Sequence, residues 1–261
     1  MNAKFGTKDF GKRLKSMLKV DFRRMFTMPL VYIMAGVSLI IPILILVMTT
    51  MMGTPEEGAE AIGTFTNVWQ AIGSVSGGSS QMGMDITSMC NINLLYFLIA
   101  VFVCIFVSED FRSGYVKNLF TVRAKRIDYC ISKIAVGVAG GVIMLFMYFI
   151  GAMIGGKIAG LSFDTAGFGA GGIVACMFSK IFLVAIFVSL ALLLSVVGKQ
   201  KLWISVLGSI GAGALLFTML PMISPLNSSI INVIMCLAGG ALFGAGLSVA
   251  SNVVLKKTSL V

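Results

Sequence analysis

The feature that most constrains the fold of this chain is a set of uncharged segments long enough to cross a lipid bilayer. Between Leu202 and Leu255 there is no Asp, Glu, Lys or Arg, whereas one crossing helix needs only about 20 mainly apolar residues. Four further apolar runs of suitable length are Leu30–Thr50, Ile86–Ser108, Ile134–Gly156 and Gly171–Gly198, the last interrupted only by Lys180. Because only 11% of the residues are charged, the sequence predicts an all-α integral membrane protein.

Turn-forming residues divide the long C-terminal segment into two spans. The stretch from Pro221 to Ser229 contains two prolines, an asparagine and three serines, which favour a turn over a continuous helix. The sequence therefore predicts six transmembrane helices. Pro42 lies within the first of them and predicts a kink there.

Glycines four residues apart recur in the predicted spans. Such spacing places two residues without side chains on one face of a helix, so that a neighbouring helix can approach closely. The pairs are Gly137/Gly141, Gly151/Gly155 and Gly240/Gly244. They predict helix packing inside the protein or between copies of it.

The distribution of basic residues predicts the orientation of the chain. Residues 1–29 contain eight Lys and Arg and residues 109–133 contain six, whereas residues 51–91 contain none. By the positive-inside rule the basic segments face the cytoplasm. We therefore expect a cytoplasmic entry segment (1–29), a six-span domain (30–261) with an external loop (51–91) and a cytoplasmic loop (109–133), and both termini in the cytoplasm.

The entry segment has the pattern of an amphipathic helix. Its apolar side would carry Phe10, Leu14, Met17, Leu18, Phe22, Met25 and Phe26, and its basic side Lys8, Lys12, Lys15, Lys19 and Arg23. This pattern is typical of a helix that lies on an anionic membrane surface, and we expect Phe10, Lys12, Leu14, Lys15, Leu18, Lys19 and Phe22 to contact membrane lipids. The alternative is a solvated, positively charged tail.

The chain has little that indicates catalysis. It contains no histidine, and its five cysteines are widely spaced, so we expect neither an enzyme nor a metal site. Two segments that imitate a phosphate-binding loop, ending at Lys12 and Lys157, lack the Ser or Thr that must follow. We therefore expect no cofactor in this chain. All ten acidic residues are expected in loops or tails, which disfavours ion-coupled transport.

Lys180 is the one charge inside a predicted span. One interpretation is that its side chain extends to the outer membrane interface, where the ammonium would be solvated. The other is that Lys180 is a candidate substrate contact within the membrane. The sequence leaves both open.

The cytoplasmic loop after the second span alternates acids, aromatics and bases. Its candidate contact residues are Glu109, Asp110, Phe111, Arg112, Gly114, Tyr115, Lys117, Arg123 and Lys125. The positive-inside rule requires only a few basic residues, so this mixture predicts a surface that binds another protein. The alternative is a solvated loop.

The segment from Glu109 to Leu119 resembles the permeases of the type-2 ABC exporter superfamily, as does the layout of a basic entry helix and six spans. The resemblance implies a permease dimer, formed with a second copy or a close paralogue, that pairs with two copies of a cytosolic ATPase. ATP and magnesium would bind on the ATPase, which the candidate contact residues in the 109–133 loop would touch. The size of the chain and its first external loop look most like small bacterial permeases of the cytoplasmic membrane that export bacteriocins or amphipathic peptide toxins.

Other functions stay open at this stage. An exporter of lipids or drugs would share the same layout, and a membrane scaffold or sensor would transport nothing. A channel is disfavoured because no charged ring or filter-like loop is seen. The basic residues lie at span ends, so nucleic acid is not an expected partner.

Overall fold

The structure is a computed structural model that describes residues 7–52, 65–73, 90–122, 125–165, 169–198 and 201–257. Within these ranges the regular structure is helical, apart from an isolated bridge between Asn67 and Ser162. The helices are α1 (Thr7–Thr27), α2 (Pro29–Met52), α3 (Leu95–Arg112), α4 (Tyr115–Val122), α5 (Arg126–Ile158), α6 (Ala170–Val197), α7 (Leu202–Phe217), α8 (Leu220–Ile223) and α9 (Ile230–Lys257). Short 3₁₀ helices occur at Val68–Ala71 and Ile92–Leu94.

Five of the described helical segments are long and apolar enough to cross a bilayer: Pro29–Met51, Ile92–Arg112, Arg126–Ile158, Ala170–Val197 and Ile230–Lys256. The prediction of an all-α, multi-pass membrane protein is therefore confirmed. Helix α7 has 16 residues and is about 24 Å long, which is shorter than the hydrocarbon core of about 30 Å. The predicted break within the long C-terminal apolar run is also found, because α8 ends at Ile223 and α9 begins at Ile230.

Two helices extend further than the sequence predicted. Helix α3 continues past Ser108 to Arg112, and α5 begins at Arg126 instead of Ile134. Most of the 109–133 segment, predicted as a loop between two spans, is consequently helical. The expectation that every acid lies in a loop or tail was wrong, because α3 contains Glu109 and Asp110 and α5 contains Asp128.

The paired glycines lie where helices touch. A side chain at Gly151 would overlap the carbonyl of Leu39 in α2, and one at Gly155 would approach the Cα of Ile43 to 2.8 Å. Gly137 and Gly141 lie equally close to α6, and Gly240 of α9 lies against the Phe182 carbonyl of α6. These contacts confirm the predicted packing and fix α2 on α5, α5 on α6, and α9 on α6.

A short segment covers the ends of α5 and α6 on the side predicted to be external. We call residues 65–73 the cap. Its Val68 amide donates to the Ser162 carbonyl (3.1 Å), and the Trp69 indole donates to the Phe163 carbonyl (3.1 Å). The cap contains a four-residue 3₁₀ helix in which Val68 and Ala71 are buried.

Candidate functional site

Three charged residues from three different helices meet in the protein interior. They are Asp21 of α1, Asp110 of α3 and Lys133 of α5, and none is more than 1% exposed. The Lys133 ammonium lies 2.9 Å from Asp21 Oδ1 and 2.7 Å from Asp110 Oδ2. Lys133 therefore joins the entry helix to both helices that flank the 109–133 segment.

Neighbouring polar groups complete this arrangement. Arg24 Nη1 forms an ion pair with Asp110 Oδ1 at 2.7 Å. The Tyr129 hydroxyl donates to Asp110 Oδ2 at 3.0 Å, and the Ser132 hydroxyl donates to Asp21 Oδ2 at 2.6 Å. We call Asp21, Arg24, Asp110 and Lys133, with the hydroxyls of Tyr129 and Ser132, the ion cluster. Its two carboxylates are balanced by two cations, which is how buried charges are tolerated.

Aromatic rings surround the cations of the ion cluster. Lys133 Nζ lies 4.2 Å from the centre of the Phe106 ring, and the Arg24 guanidinium lies 4.1 Å from the centre of the Tyr115 ring. Both distances suit a cation–π contact. Since Tyr115 is the first residue of α4, the ion cluster also contacts the short helix of the 109–133 segment.

The charge states of Arg24 and the adjoining Tyr115 are secure at neutral pH. Burial lowers the pKa of the Arg24 guanidinium, but Asp110, Tyr115 and Asp21 together raise it by more, so the net pKa lies above its ordinary value. Burial and the nearby Asp21 carboxylate raise the pKa of the Tyr115 hydroxyl. Arg24 therefore stays charged and Tyr115 stays neutral.

A second ion pair fixes the start of α1 on α5. Arg13 Nε lies 3.2 Å from Asp128 Oδ2, and Asp128 is buried while Arg13 is partly exposed. Together with Asp21, which is two turns further along α1, this pair holds one side of the entry helix against α5. Helix α1 is thus mechanically attached to the spanning helices through charges as well as apolar contacts.

The predicted membrane-surface residues of α1 divide into two groups. Lys12, Lys15 and Lys19 are exposed, and Phe10 is 37% exposed, whereas Leu14 is half-buried. Leu18 and Phe22 are half-buried against the hydrophobic core. Part of the apolar side therefore faces the protein instead of the lipid, because the same side carries Asp21.

The predicted contact residues of the 109–133 segment also divide. Asp110 and Tyr115 point into the ion cluster, whereas the side chains of Glu109, Arg112, Lys117 and Lys125 are exposed. Arg123 lies outside the described residues. We call the exposed side of residues 109–121 the corner. The corner presents acidic and basic side chains on the outer side of the ion cluster.

Phe111, one of the candidate contact residues, lies in a helix and not in an irregular loop. It lies on α3, half-buried and packed against the hydrophobic core, because the helix continues through it. Its substitution would disturb packing, so Glu109 is the cleaner residue for testing a partner contact.

Gly114 makes the turn between α3 and α4. Its φ is +70°, a value that residues with a side chain rarely adopt, and nothing lies within 4 Å of the position a Cβ would take. The Gly114 amide donates to the Phe111 carbonyl at 3.3 Å. Gly114 therefore allows the chain to turn from α3 into the short helix α4.

Lys180 lies in a separate place, deep in α6. Its side chain is fully buried, and Nζ lies 2.5 Å from Asn93 Oδ1. Helix α6 begins at Ala170, so Lys180 is about 15 Å along it at 1.5 Å per residue. The side chain therefore does not extend to the interface, and that interpretation is excluded.

Most members of the ion cluster were not identified from the sequence. Asp21, Arg24, Ser132 and Lys133 were interpreted as entry-segment or loop residues, and only Asp110 was a candidate. One signal was present: Asp21 lies four residues from both Met17 and Met25, so it shares the apolar side of α1. A carboxylate on an apolar stripe indicates a buried partner.

Comparison of the chain with protein-family models, curated proteins and solved structures found no match. The functional argument therefore depends on the geometry. Among the described residues, no group of three or more His, Cys, Asp or Glu is placed to hold a metal ion. The ion cluster joins α1, α3, α4 and α5 into one unit beneath the charged corner.

Proposed function

We propose that this protein is the membrane-spanning permease subunit of an ATP-driven exporter in a bacterial cytoplasmic membrane. Two permeases, identical or closely related, would pair with two copies of a cytosolic ATPase that binds ATP and magnesium. The cargo would be amphipathic or hydrophobic peptides. The permease itself would hydrolyse nothing.

The observation that carries this proposal is the position of the ion cluster behind the corner. A partner bound at Glu109, Arg112 and Lys117 would press on α4 and the end of α3. Because Asp110 and Lys133 bind these elements to α1 and α5, movement at the corner would reach several spans together. A solvated loop would need no such buried connection, since buried charges are costly unless paired.

The proposed cycle is alternating access. Closure of the ATPases would push the corner, and the tightly packed helices would shift between two discrete arrangements. The chain has 18 Met and 19 Phe, and flexible Met side chains suit the walls of a pathway for variable apolar cargo.

Six spans require α7 and α8 to complete one crossing together. We expect reporter cysteines at Asn118 and Lys256, both exposed, to lie on the same side of the membrane in a variant lacking the native cysteines. A membrane-impermeant maleimide should then label neither in intact cells and both after permeabilisation, while a cysteine at Lys157 labels directly. If the Lys256 cysteine labels in intact cells and the Asn118 cysteine does not, five spans are present and the six-span arrangement is wrong.

Capture of the partner tests the proposed function. We expect a photo-crosslinking amino acid at Asn118, exposed on α4, to form an adduct with a protein that contains a phosphate-binding loop. The matched control is the same amino acid at Lys157, an exposed residue at the far end of α5. An ATPase adduct at Asn118 alone supports the proposal. No ATPase adduct at either site, or equal adducts at both, contradicts it and favours a scaffold or sensor.

A further inference from the structure

Lys180 is a buried cation without a carboxylate partner among the residues the structure describes. Its ammonium has three donor hydrogens, and the one hydrogen bond it makes there is to Asn93 Oδ1. The described ion pairs all belong to the ion cluster or to Arg13 and Asp128. A buried ammonium bonded to one neutral oxygen keeps most of its desolvation cost.

Unpaired donors accompany this ammonium. The Nδ2 atom of Asn93, whose Oδ1 accepts from Lys180, is buried and has no hydrogen-bond partner, and the same holds for the Nδ2 atom of the nearby Asn91. The Ser179 hydroxyl has the Cys236 thiol as its hydrogen-bond partner, and Lys180 lies near the same thiol. Leaving a buried donor unpaired is costly. Two unpaired amides beside an ammonium with one neutral partner form a site for an anion.

The surroundings of the site are apolar. The Tyr96 ring stacks on Phe187 with centroids 4.7 Å apart, and the Tyr96 hydroxyl donates to the Lys180 carbonyl at 2.9 Å. Ile92 and Ile99 are fully buried beside Asn93 and Tyr96 in the chain. A small hydrated anion would exchange its water for only a few donors here, whereas an anion with an apolar body would also gain apolar contacts.

The cap closes the predicted outer side of the site. A side chain at Gly73 would approach Cys176 Sγ to 3.2 Å and the Leu226 amide nitrogen to 3.1 Å. The Cys176 thiol in turn donates to the Ser224 carbonyl at 3.8 Å. Since Cys176 precedes Lys180 by one helical turn, the ammonium lies directly beneath the junction of the cap and the α8–α9 linker.

We infer that Lys180 and the Asn93 amide bind the carboxylate of an amphipathic ligand. The inference rests on the proposed function in that this ligand would be the exported cargo. It adds that the cargo is recognised by a carboxylate, either the free C-terminus of an apolar peptide or the head of a fatty acid. Four acids of the 51–91 loop (Glu56, Glu57, Glu60 and Asp85) lie outside the described residues and are the competing source of an anion.

Binding can be measured on the purified protein without any ATPase. The chain has two tryptophans, so Trp203→Phe leaves Trp69 of the cap as the sole tryptophan, which can be excited selectively. The probes are two matched pairs: an apolar amphipathic peptide with a free or an amidated C-terminus, and dodecanoate or dodecanol. We expect each acid to bind about tenfold or more tightly than its neutral counterpart. The two pairs show whether a peptide or a fatty acid is preferred.

Lys180→Met should remove this preference, and Lys157→Met, at an exposed lysine, should keep it. Lys180→Gln, which can still bond to Asn93, serves as the second variant where the methionine variant does not fold, and it should also lose the preference.

Equal binding of acids and neutral probes by the wild type overturns the inference, as does an unchanged preference in the Lys180 variants. If only the variant with Glu56, Glu57, Glu60 and Asp85 neutralised prefers acids, the chain's own loop occupies the site and the inference is wrong. A negative result in this experiment would not affect the proposed contact between the corner and the ATPase.

Discussion

We expect Lys133→Met to destabilise the folded protein by about 3–5 kcal/mol, the usual cost of removing one partner from a buried ion pair. The substitution leaves the Asp21 and Asp110 carboxylates buried with only Arg24 to balance them. The shape of the site is nearly kept, so the loss comes from charge and not from a cavity. Thermal and denaturant unfolding of the purified protein in detergent measures it.

Two controls make this prediction specific to the ion cluster. Lys117→Met removes an exposed lysine from the corner and should change stability by no more than about 0.5 kcal/mol. Asp21→Asn combined with Lys133→Met restores the charge balance, because Arg24 and Asp110 remain as a pair, and should recover much of the lost stability. Equal losses for Lys133→Met and Lys117→Met, or no recovery in the double variant, would show that the ion cluster does not stabilise the fold.

The spanning helices were predictable because their signal is local. Each needs a long apolar run, and such runs can be identified without knowing what they touch. The turn at Pro221–Ser229 and the glycine pairs are local signals in the same sense. The four-residue spacing of the glycines alone determines which face of a helix has no side chains. The structure confirms the break between α8 and α9 and the helix packing at the glycine pairs.

The ends of α3 and α5 were not predictable from such local signals. Asp110, Asp128 and Lys133 were treated as marks of a loop, since single charges are costly in a span. Their partners lie far away in sequence: Lys133 binds Asp21 across 112 positions. Only the tertiary contact shows that the charges neutralise one another and that the helices can continue through them.

Lys180 illustrates the same limit. Its two interpretations differ in whether a polar group meets the side chain inside the protein, and that group, Asn93, is 87 positions away. Asn93 itself lies at the start of α3 in an Asn-capped 3₁₀ turn. The predicted apolar run over 86–108 gave no reason to place its side chain beside α6.

We expect the second large effect from substitution of Gly114, for which Gly160 is the matched control. Both have a positive φ (+70° and +68°), and both have open space at the Cβ position. Each follows a spanning helix with the same hydrogen bonding, Gly114 to the Phe111 carbonyl (3.3 Å) and Gly160 to the Lys157 carbonyl (3.4 Å). Alanine at either position should cost about 1–2 kcal/mol of left-handed strain.

The functional consequences of the two substitutions should differ. Gly114 sets the angle between α3 and α4, and so positions the corner against the ATPase and Tyr115 against Arg24. Gly160 lies at the opposite end of α5, away from the proposed partner. Gly114→Asn should restore function, because asparagine tolerates a positive φ better than alanine does.

The most direct measurement is peptide-stimulated ATP hydrolysis by the permease–ATPase complex in lipid nanodiscs, with each variant's melting temperature measured in parallel. We predict that Gly114→Ala and Gly160→Ala lower the melting temperature equally, while only Gly114→Ala loses most of the stimulation and Gly114→Asn regains it. Full stimulation in Gly114→Ala, or the same loss in Gly160→Ala, would contradict transmission of force through the corner.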